Sequence, residues 1–300
     1  MQANRVCRTL VMLIAVVAWL GLAEAALAQQ EDEEKSIKAE VFIKERPAAP
    51  KRSRSAARYK TGSKSTNDIN SPPPAGTSFA EVGVTFWRFR PATATDKTKE
   101  LVEEEGSAPT EWTLERIEEG TPLAPGQRVR ISIESLTRSG YLYVIDREQY
   151  GDGTLGEPVL IFPTQKTVDR NYVRAGRIIN IPSGTGRFNI KPSAGPKEHV
   201  GELLTLLVSS QPLIEPNQLQ AKAIKLPRDK VESWEKQWGA RTTKFELEGG
   251  AGSPMTEKEQ AARNNAQELT QDDPAPQTVY RMAIKTSDSI VLTVPLRFRQ

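Results

Sequence analysis

Cysteine and histidine are almost missing from this sequence. The one cysteine, Cys7, lies ahead of the first apolar run, and the one histidine is His199. Once a leader that carries Cys7 is removed, the remaining chain has no thiol. This excludes disulfides, thiolate zinc sites, iron–sulfur clusters and cysteine nucleophiles. A multi-histidine metal site is excluded too, and no G-x-S-x-G motif accompanies His199. The position of His199, where a turn enters a predicted strand, favours a structural role.

Long apolar runs are also scarce. One extends from Leu10 to Leu22, and Glu24 interrupts it before it reaches the roughly 18 apolar residues of a membrane-spanning helix. Because Arg5 and Arg8 precede this run, the pattern predicts a secretory signal peptide over residues 1–28, with an uncleaved membrane anchor as the alternative. We therefore expect an exported protein that is periplasmic, cell-surface or secreted and has no membrane span after signal cleavage.

The chain has no strong excess of one charge sign. It carries 41 Lys and Arg against 38 Asp and Glu, a net charge of +3, which becomes +2 without residues 1–28. This balance gives no sign of polyanion binding, so we expect no nucleic-acid partner. Gly184 and Gly186 lie between predicted strands, and the helix start that nucleotide phosphates require is missing there.

Residues 29–75 are acidic at their start, then basic and rich in proline. Such a composition buries too little apolar surface to fold, so it predicts a disordered tether. Its basic block would contact an anionic envelope surface, whereas the alternative is a solvated linker without a ligand. The candidate contact residues are Lys51, Arg52, Arg54 and Arg58.

Short strands bounded by Gly, Pro, Asn and Asp dominate residues 76–300. Tyr141–Ile145 is apolar at every position and predicts a central strand. Arg128–Ser135 alternates and predicts a strand with one wet face, while Pro295 indicates that the last strand lies at an edge or is bulged. Eight to ten such strands predict a mainly β fold, an antiparallel β-sandwich that is immunoglobulin-like or related. Its core would span 79–215 and 278–299.

The polar insert at 216–277 is predicted to be helical in part and disordered in part. Pro227 at the start and Gly239 at the end bound an amphipathic helix. Trp234 and Trp238 share one face of it, either docked on the core or available to a partner or ligand. A capping box at Thr256 predicts a second helix as far as Leu269.

The loop between residues 146 and 157 is the one candidate metal site. Asp146, Glu148 and Asp152 offer hard oxygen ligands that suit calcium. The loop lacks the spacing of a helical calcium-binding hand, and Gly-Asp-Gly is also typical of an ordinary hairpin turn. Both interpretations stay open, and the sequence indicates no other cofactor.

Several segments in a fixed order resemble the bacterial family known as domain of unknown function 4384. The resemblance covers about residues 80–215, and its segments are YLYVID (141–146), LIFPT (160–164), NYVRAG (171–176), NIP (180–182), FNIKPSAG (188–195) and LLTLLVSSQP (203–212). It implies an exported, β-rich module that is often appended to caspase-like peptidases, kinases or helical repeats. No catalytic residue of that family is established, so the resemblance assigns none here.

The missing catalytic groups, the signal and the strand pattern together predict a non-enzymatic binding or interaction module of the bacterial cell envelope. Its partner would be an envelope protein or polymer whose identity the sequence does not give. The alternative is a calcium- or glycan-dependent hydrolase that works with carboxylates alone, since such a mechanism needs no histidine. Acidic residues are scattered along the chain, and no catalytic pair is singled out.

Overall fold

The computed structural model describes residues 36–49, 57–61, 72–103, 108–191, 197–263 and 267–299. The signal-peptide prediction for residues 1–28 lies outside these ranges. Two α-helices are described, α1 (Arg228–Trp238) and α2 (Glu257–Arg263). The described strands are β1 (Ser36–Lys38), β2 (Arg58–Thr61), β3 (Thr77–Pro91), β4 (Glu100–Val102), β5 (Thr110–Ile117), β6 (Arg128–Ser135), β7 (Gly140–Tyr150), β8 (Val159–Phe162), β9 (Tyr172–Val173), β10 (Ile179–Ile181), β11 (Phe188–Asn189), β12 (His199–Ser209), β13 (Ile224–Lys225), β14 (Thr242–Leu247), β15 (Thr278–Lys285) and β16 (Ile290–Arg297).

The strands form two antiparallel sheets, so the prediction of a mainly β fold is confirmed. The ten-stranded sheet has the order β1-β2-β14-β15-β3-β5-β4, and β6, which also pairs with β3, carries β10 and β11. The six-stranded sheet has the order β13-β8-β7-β12-β16, and β9 also pairs with β7. Tyr141–Ile145 lies in the central strand β7 and Pro295 in the terminal strand β16, as the sequence predicts.

The two sheets share one apolar core. Alternate side chains of β3 and β6 meet those of β7, β12 and β16 there, including Val84, Ile131, Val144, Leu206 and Val294. Each such side chain stabilises the fold by about 1.5–3 kcal/mol when it is fully buried. The other face of the six-stranded sheet is covered by α1, where Trp234 joins a second apolar cluster.

The predicted wet face of β6 is wrong. Arg130, Ser132 and Glu134 are all buried, with relative exposures of 0%, 6% and 3%. Arg130 stacks over Phe89, 4.9 Å from the ring centroid, and donates hydrogen bonds to Glu100. Alternation of polar and apolar residues is therefore preserved, but the polar face is covered by ion pairs instead of water.

The prediction of a disordered tether across residues 29–75 is wrong for 36–49 and 57–61. These residues contribute β1 and β2, which extend the ten-stranded sheet beside β14. Phe42 and Tyr59 are fully buried and pack against Phe245, with ring centroids 5.0 Å apart in both Phe42 contacts. A few large apolar side chains thus fold a segment whose average composition is typical of disorder.

The insert at 216–277 is more ordered than predicted. Pro227 and Gly239 bound α1 as expected, and Thr256 and Glu259 form the predicted capping box at α2. The described part of α2 reaches Arg263, and residues 267–269 are not helical, so the helix does not extend to the predicted Leu269. Strand β14 lies within the insert and pairs with β15, so this part of the insert belongs to the ten-stranded sheet.

Candidate functional site

A buried ion pair fixes the N-terminal segment to the ten-stranded sheet. The guanidinium of Arg46 donates two hydrogen bonds to Glu134, Nε to Oε1 at 2.9 Å and Nη2 to Oε2 at 2.7 Å. Its Nη1 donates to the carbonyl oxygens of Asp273 at 3.2 Å and Pro274 at 3.1 Å. The two charged side chains are 1% and 4% exposed. This pair therefore joins three distant parts of the chain: the N-terminal segment, β6 and the loop before β15.

A cavity of about 360 Å³ opens beside this junction. We call it the acidic cavity. Its walls come from the N-terminal segment, from the loop after β14, from the start of α2 and from the loop before β15. Apolar wall residues are Ala39, Ile43, Ala57, Leu247, Pro254 and Pro274. The cavity thus exists only where the N-terminal segment docks against the two loops.

The charged groups of the acidic cavity are mostly carboxylates. Among the described lining residues, one guanidinium, that of Arg116, accompanies five carboxylates: Glu40, Glu248, Glu259, Asp272 and Asp273. Glu259 forms a buried ion pair with Arg116, and Asp273 accepts a hydrogen bond from the backbone N–H of Thr270 at 2.7 Å. The guanidinium of the described lining is therefore paired within the fold.

Arg116 is held rigidly on the floor of the acidic cavity. It donates to the carbonyl oxygen of Ala275 at 2.8 Å, and its guanidinium lies 5.3 Å from the ring centroid of Trp87. Glu259 in turn accepts hydrogen bonds from Thr256, from the backbone N–H at 3.0 Å and from the hydroxyl at 2.8 Å. Such a network presents fixed polar groups to whatever occupies the cavity.

Asp272 differs from its neighbours in the cavity lining. Its Oδ2 atom is inaccessible to solvent and accepts no hydrogen bond within the part of the chain that is described. A buried carboxylate oxygen without a donor is costly, because the group loses its hydration without compensation. Because this oxygen is sealed from solvent, it is also out of reach of a ligand in the cavity.

A second set of carboxyl groups lies where β7 and β12 pair. Asp146 and Glu202 hydrogen-bond each other through their side chains, and we call them the carboxyl pair. Burial, together with the charge of Asp146, raises the pKa of Glu202 to about 9; burial, with the charge of Glu148 adding to it, raises the pKa of Asp146 to about 6. Oδ1 of Asp146 and Oε2 of Glu202 are sealed from solvent and have no donor among the described residues, so we expect one proton shared between the two carboxyl groups to supply the missing hydrogen bond.

The groups around the carboxyl pair are polar and partly exposed. His199 lies with Nε2 3.1 Å from Oε1 of Glu202, and its ring packs edge-on against Phe298 at 5.0 Å. Glu148 accepts a hydrogen bond from the hydroxyl of Tyr150. Sequence reasoning treated His199 as structural, and its ring contact and its ion-pair geometry fit that role.

The three predicted calcium ligands have different partners. Asp146 belongs to the carboxyl pair, Glu148 binds Tyr150, and Asp152 lies in the β7–β8 turn. The hydroxyl and backbone N–H of Thr154 donate to Asp152 and lower the pKa of its carboxyl to about 2. Within the described ranges, no group of three or more His, Cys, Asp or Glu side chains is placed to hold a metal ion. Calcium binding by this loop stays a prediction.

The other predicted contact residues fall in three settings. Trp234 is 8% exposed in the apolar cluster beneath α1, and Trp238 packs against that cluster in part. Of the two arrangements predicted for these rings, docking on the core is the one in which they lie. Of the basic tether residues, Arg58 lies in β2 and donates to the hydroxyl of Ser36 at 3.2 Å. The remaining three, Lys51, Arg52 and Arg54, lie outside the described residues.

Sequence patterns did not find the acidic cavity. The capping box identified Glu259, but as a helix-start residue, and nothing local linked it to Arg116, which lies 143 positions away in the chain. Asp272 lies in a Pro- and Asp-rich stretch that resembles an ordinary loop. The site depends on contacts between remote segments, for which a single sequence carries no signal.

Comparison with known proteins found no relative, since no family model, no curated protein and no solved structure matches the chain. Among the helices of the described residues, none has the length and hydropathy to cross a membrane. Inference about function therefore depends on the geometry of the two sites.

Proposed function

We propose that this protein is a non-enzymatic binding module of the bacterial cell envelope and that its ligand binds in the acidic cavity. In this proposal the two sheets form an exported antiparallel β-sandwich, related to immunoglobulin-like domains and to the domain of unknown function 4384 family. The signal-like N-terminus and the ordered segments from YLYVID to LLTLLVSSQP support the location and the relationship. The partner is a component of the envelope.

The observation that carries the proposal is the combination of enclosure and fixed polar groups. A volume of about 360 Å³ is at the lower end of the range of small-molecule sites, roughly 300–1,000 Å³. Apolar walls would bury the body of a ligand, while the Arg116–Glu259 pair would orient it. The hydroxyl of Thr256 donates to Glu259, but this carboxylate is already paired with Arg116 and caps α2, so binding is the function that the cavity supports best.

A fragment screen tests this function directly. The full chain would be screened by ligand-observed NMR against a library with cationic, neutral and anionic members. Ser253, which lines the cavity, would be replaced by tryptophan to fill it, and Ser287→Trp in the exposed turn before β16 is the matched control. We expect hits that Ser253→Trp abolishes and Ser287→Trp leaves intact. Hits that are insensitive to Ser253→Trp, or no hits at all, would reject the cavity as the binding site.

A carboxylate hydrolase is the second candidate, because the carboxyl pair holds a proton near neutral pH. Glycosidases also use one protonated and one ionised carboxyl group, and they hold the two about 5–9.5 Å apart, so the carboxyl pair would have to separate around a substrate. The test is turnover of chromogenic glycosides by the purified chain, with and without calcium. Turnover that Glu202→Gln abolishes would establish the hydrolase and displace the binding proposal. Turnover that survives Glu202→Gln would not belong to this pair.

A further inference from the structure

We infer that a buried water molecule bridges two buried ion pairs of the ten-stranded sheet, Arg46–Glu134 and Arg116–Glu259. It occupies a second and much smaller cavity, which we call the internal cavity. This inference is independent of the ligand proposed for the acidic cavity. It depends on the size of the internal cavity, on a hydroxyl proton without an acceptor, and on two carboxylates that each have one acceptor site left.

The internal cavity has room for one water molecule and for nothing larger. Its volume is about 10 Å³, and a single water needs about 10–15 Å³ by this measure. Its described lining residues other than Pro274 are buried. Thr85, Ser132 and Glu134 line it from the face of β3 and β6 that lies opposite the shared core. A metabolite or a peptide side chain therefore does not fit.

Thr85 supplies a hydrogen-bond donor that lacks an acceptor. The residue is 5% exposed, and its Oγ1 accepts a hydrogen bond from the backbone N–H of Gln277 at 3.0 Å. The proton of this hydroxyl has no acceptor among the described residues. A buried hydroxyl proton without an acceptor is costly, because the group loses its hydration without compensation. The oxygen of a water in the internal cavity would accept this proton.

Two carboxylates that line the internal cavity would receive the protons of that water. Glu134 accepts three hydrogen bonds, two from Arg46 and one from a backbone N–H at 2.6 Å. Glu259 also accepts three, one from Arg116 and two from Thr256. A carboxylate has about four acceptor sites, so each of the two has one site left. The water would then make about three hydrogen bonds, the usual number for a buried water.

Water fits the internal cavity better than a cation does. Within the described ranges, no group of three or more His, Cys, Asp or Glu side chains is placed to hold a metal ion. The guanidinium of Arg46 lines the internal cavity and would repel a cation. Water both accepts from Thr85 and donates to the carboxylates. Through Glu134 and Glu259 it would connect β6 to α2.

A high-resolution crystal structure of the full chain tests the inference directly. We expect one solvent peak at about 2.5–3.0 Å from Thr85 Oγ1 and from one carboxylate oxygen each of Glu134 and Glu259. Contacts of about 2.0–2.4 Å would identify a cation and overturn the inference. An internal cavity without a peak would overturn it too.

Two variants of Thr85 test the site in solution. Oxygen-17 relaxation dispersion counts the long-lived internal waters of a protein. Thr85→Ile removes the donor and adds a carbon atom that fills the internal cavity, so the count should fall by one. Thr85→Ser keeps the hydroxyl and should leave the count unchanged. Equal counts in Thr85→Ile and the unmodified chain would refute the water, and an equal loss in both variants would contradict the role of the hydroxyl. If Thr85→Ile does not fold, the crystal structure of the unmodified chain decides.

Discussion

Replacing Glu202 with glutamine should remove a pH dependence from the stability of this protein. In the folded state the carboxyl pair holds a proton that neither side chain would keep in the unfolded chain at neutral pH. Glu202 has its pKa raised to about 9, because burial and the charge of Asp146 disfavour its ionised form. A glutamine amide would donate to Asp146 as the protonated acid does, and its carbonyl oxygen would still face His199.

The sign of the effect follows from counting protons. Above the pKa of an unfolded glutamate, about 4.3, the unfolded chain has released its proton while the folded protein retains it up to about pH 9. The folded state then binds more protons, so the free energy of unfolding falls as pH rises through this window. Below about pH 4.3 both the folded and the unfolded chain bind this proton, so the carboxyl pair does not lower the free energy of unfolding there.

The magnitude is set by the width of the pH interval that is tested. Each pH unit costs about 1.36 kcal/mol for one retained proton, so the interval from pH 5 to 8 has an upper limit of about 4 kcal/mol. The side chain of Glu202 is 19% exposed, and water at its edge screens part of this cost. We expect about 2 kcal/mol.

Urea unfolding at pH 5, 6, 7 and 8, followed by circular dichroism, measures the effect. The free energy of unfolding of Glu202→Gln should equal that of the unmodified protein at pH 5 and exceed it by about 2 kcal/mol at pH 8. Asp146→Asn should show the same difference, because it also leaves one carboxyl group in the pair. Asp152→Asn is the control, since its pKa of about 2 lies below the interval. The neighbouring titratable groups Glu148, Tyr150 and His199 are present in every variant, and because His199 contacts Glu202, the comparison is repeated in a His199→Gln background. Parallel stability profiles for Glu202→Gln and the unmodified protein would refute the shared proton.

Three further predictions concern packing and the ends of elements. Arg46→Met should lower the free energy of unfolding by about 3 kcal/mol, because it leaves Glu134 buried without its cation; urea unfolding checks this, and a loss below about 1 kcal/mol would contradict it. Thr256→Ala should cost about 1 kcal/mol through loss of the capping box, whereas Thr256→Ser should be close to neutral in the same assay. Trp234→Ala should cost about 3 kcal/mol by emptying the cluster beneath α1, which thermal denaturation would show as a lower Tm, and an unchanged Tm would mean that α1 does not stabilise the sheet.

The strands of the two sheets could be predicted because their signals are local. Alternation in β6, the unbroken apolar run in β7 and the proline in β16 each follow from side-chain periodicity within one strand. The prediction that one face of β6 meets water was wrong because it used the same local signal. Periodicity separates two faces, but only a remote partner such as Glu100 for Arg130 decides whether the polar face meets water.

The N-terminal segment could not be predicted because its folding is not local. Residues 29–75 are on average rich in charged residues and proline, and that average masks the short apolar run around Phe42. The segment is stabilised by Phe245 and by an ion pair to Glu134, which lies 88 positions from Arg46. Because this segment packs against residues that are remote in the sequence, its own average composition does not predict that it folds.

The same ion pair connects stability to the proposed function. Arg46 holds the loop that carries Asp272 and Asp273 through its hydrogen bond to the Asp273 carbonyl, and it fixes the segment that supplies Ile43 to the cavity wall. Two walls of the acidic cavity thus depend on one buried guanidinium. Removal of that guanidinium should separate these two walls. Removal of Trp234 from the apolar cluster beneath α1 should lower stability but leave the two walls in place. If the cavity is the binding site, the two variants should therefore differ in ligand affinity although both are destabilised.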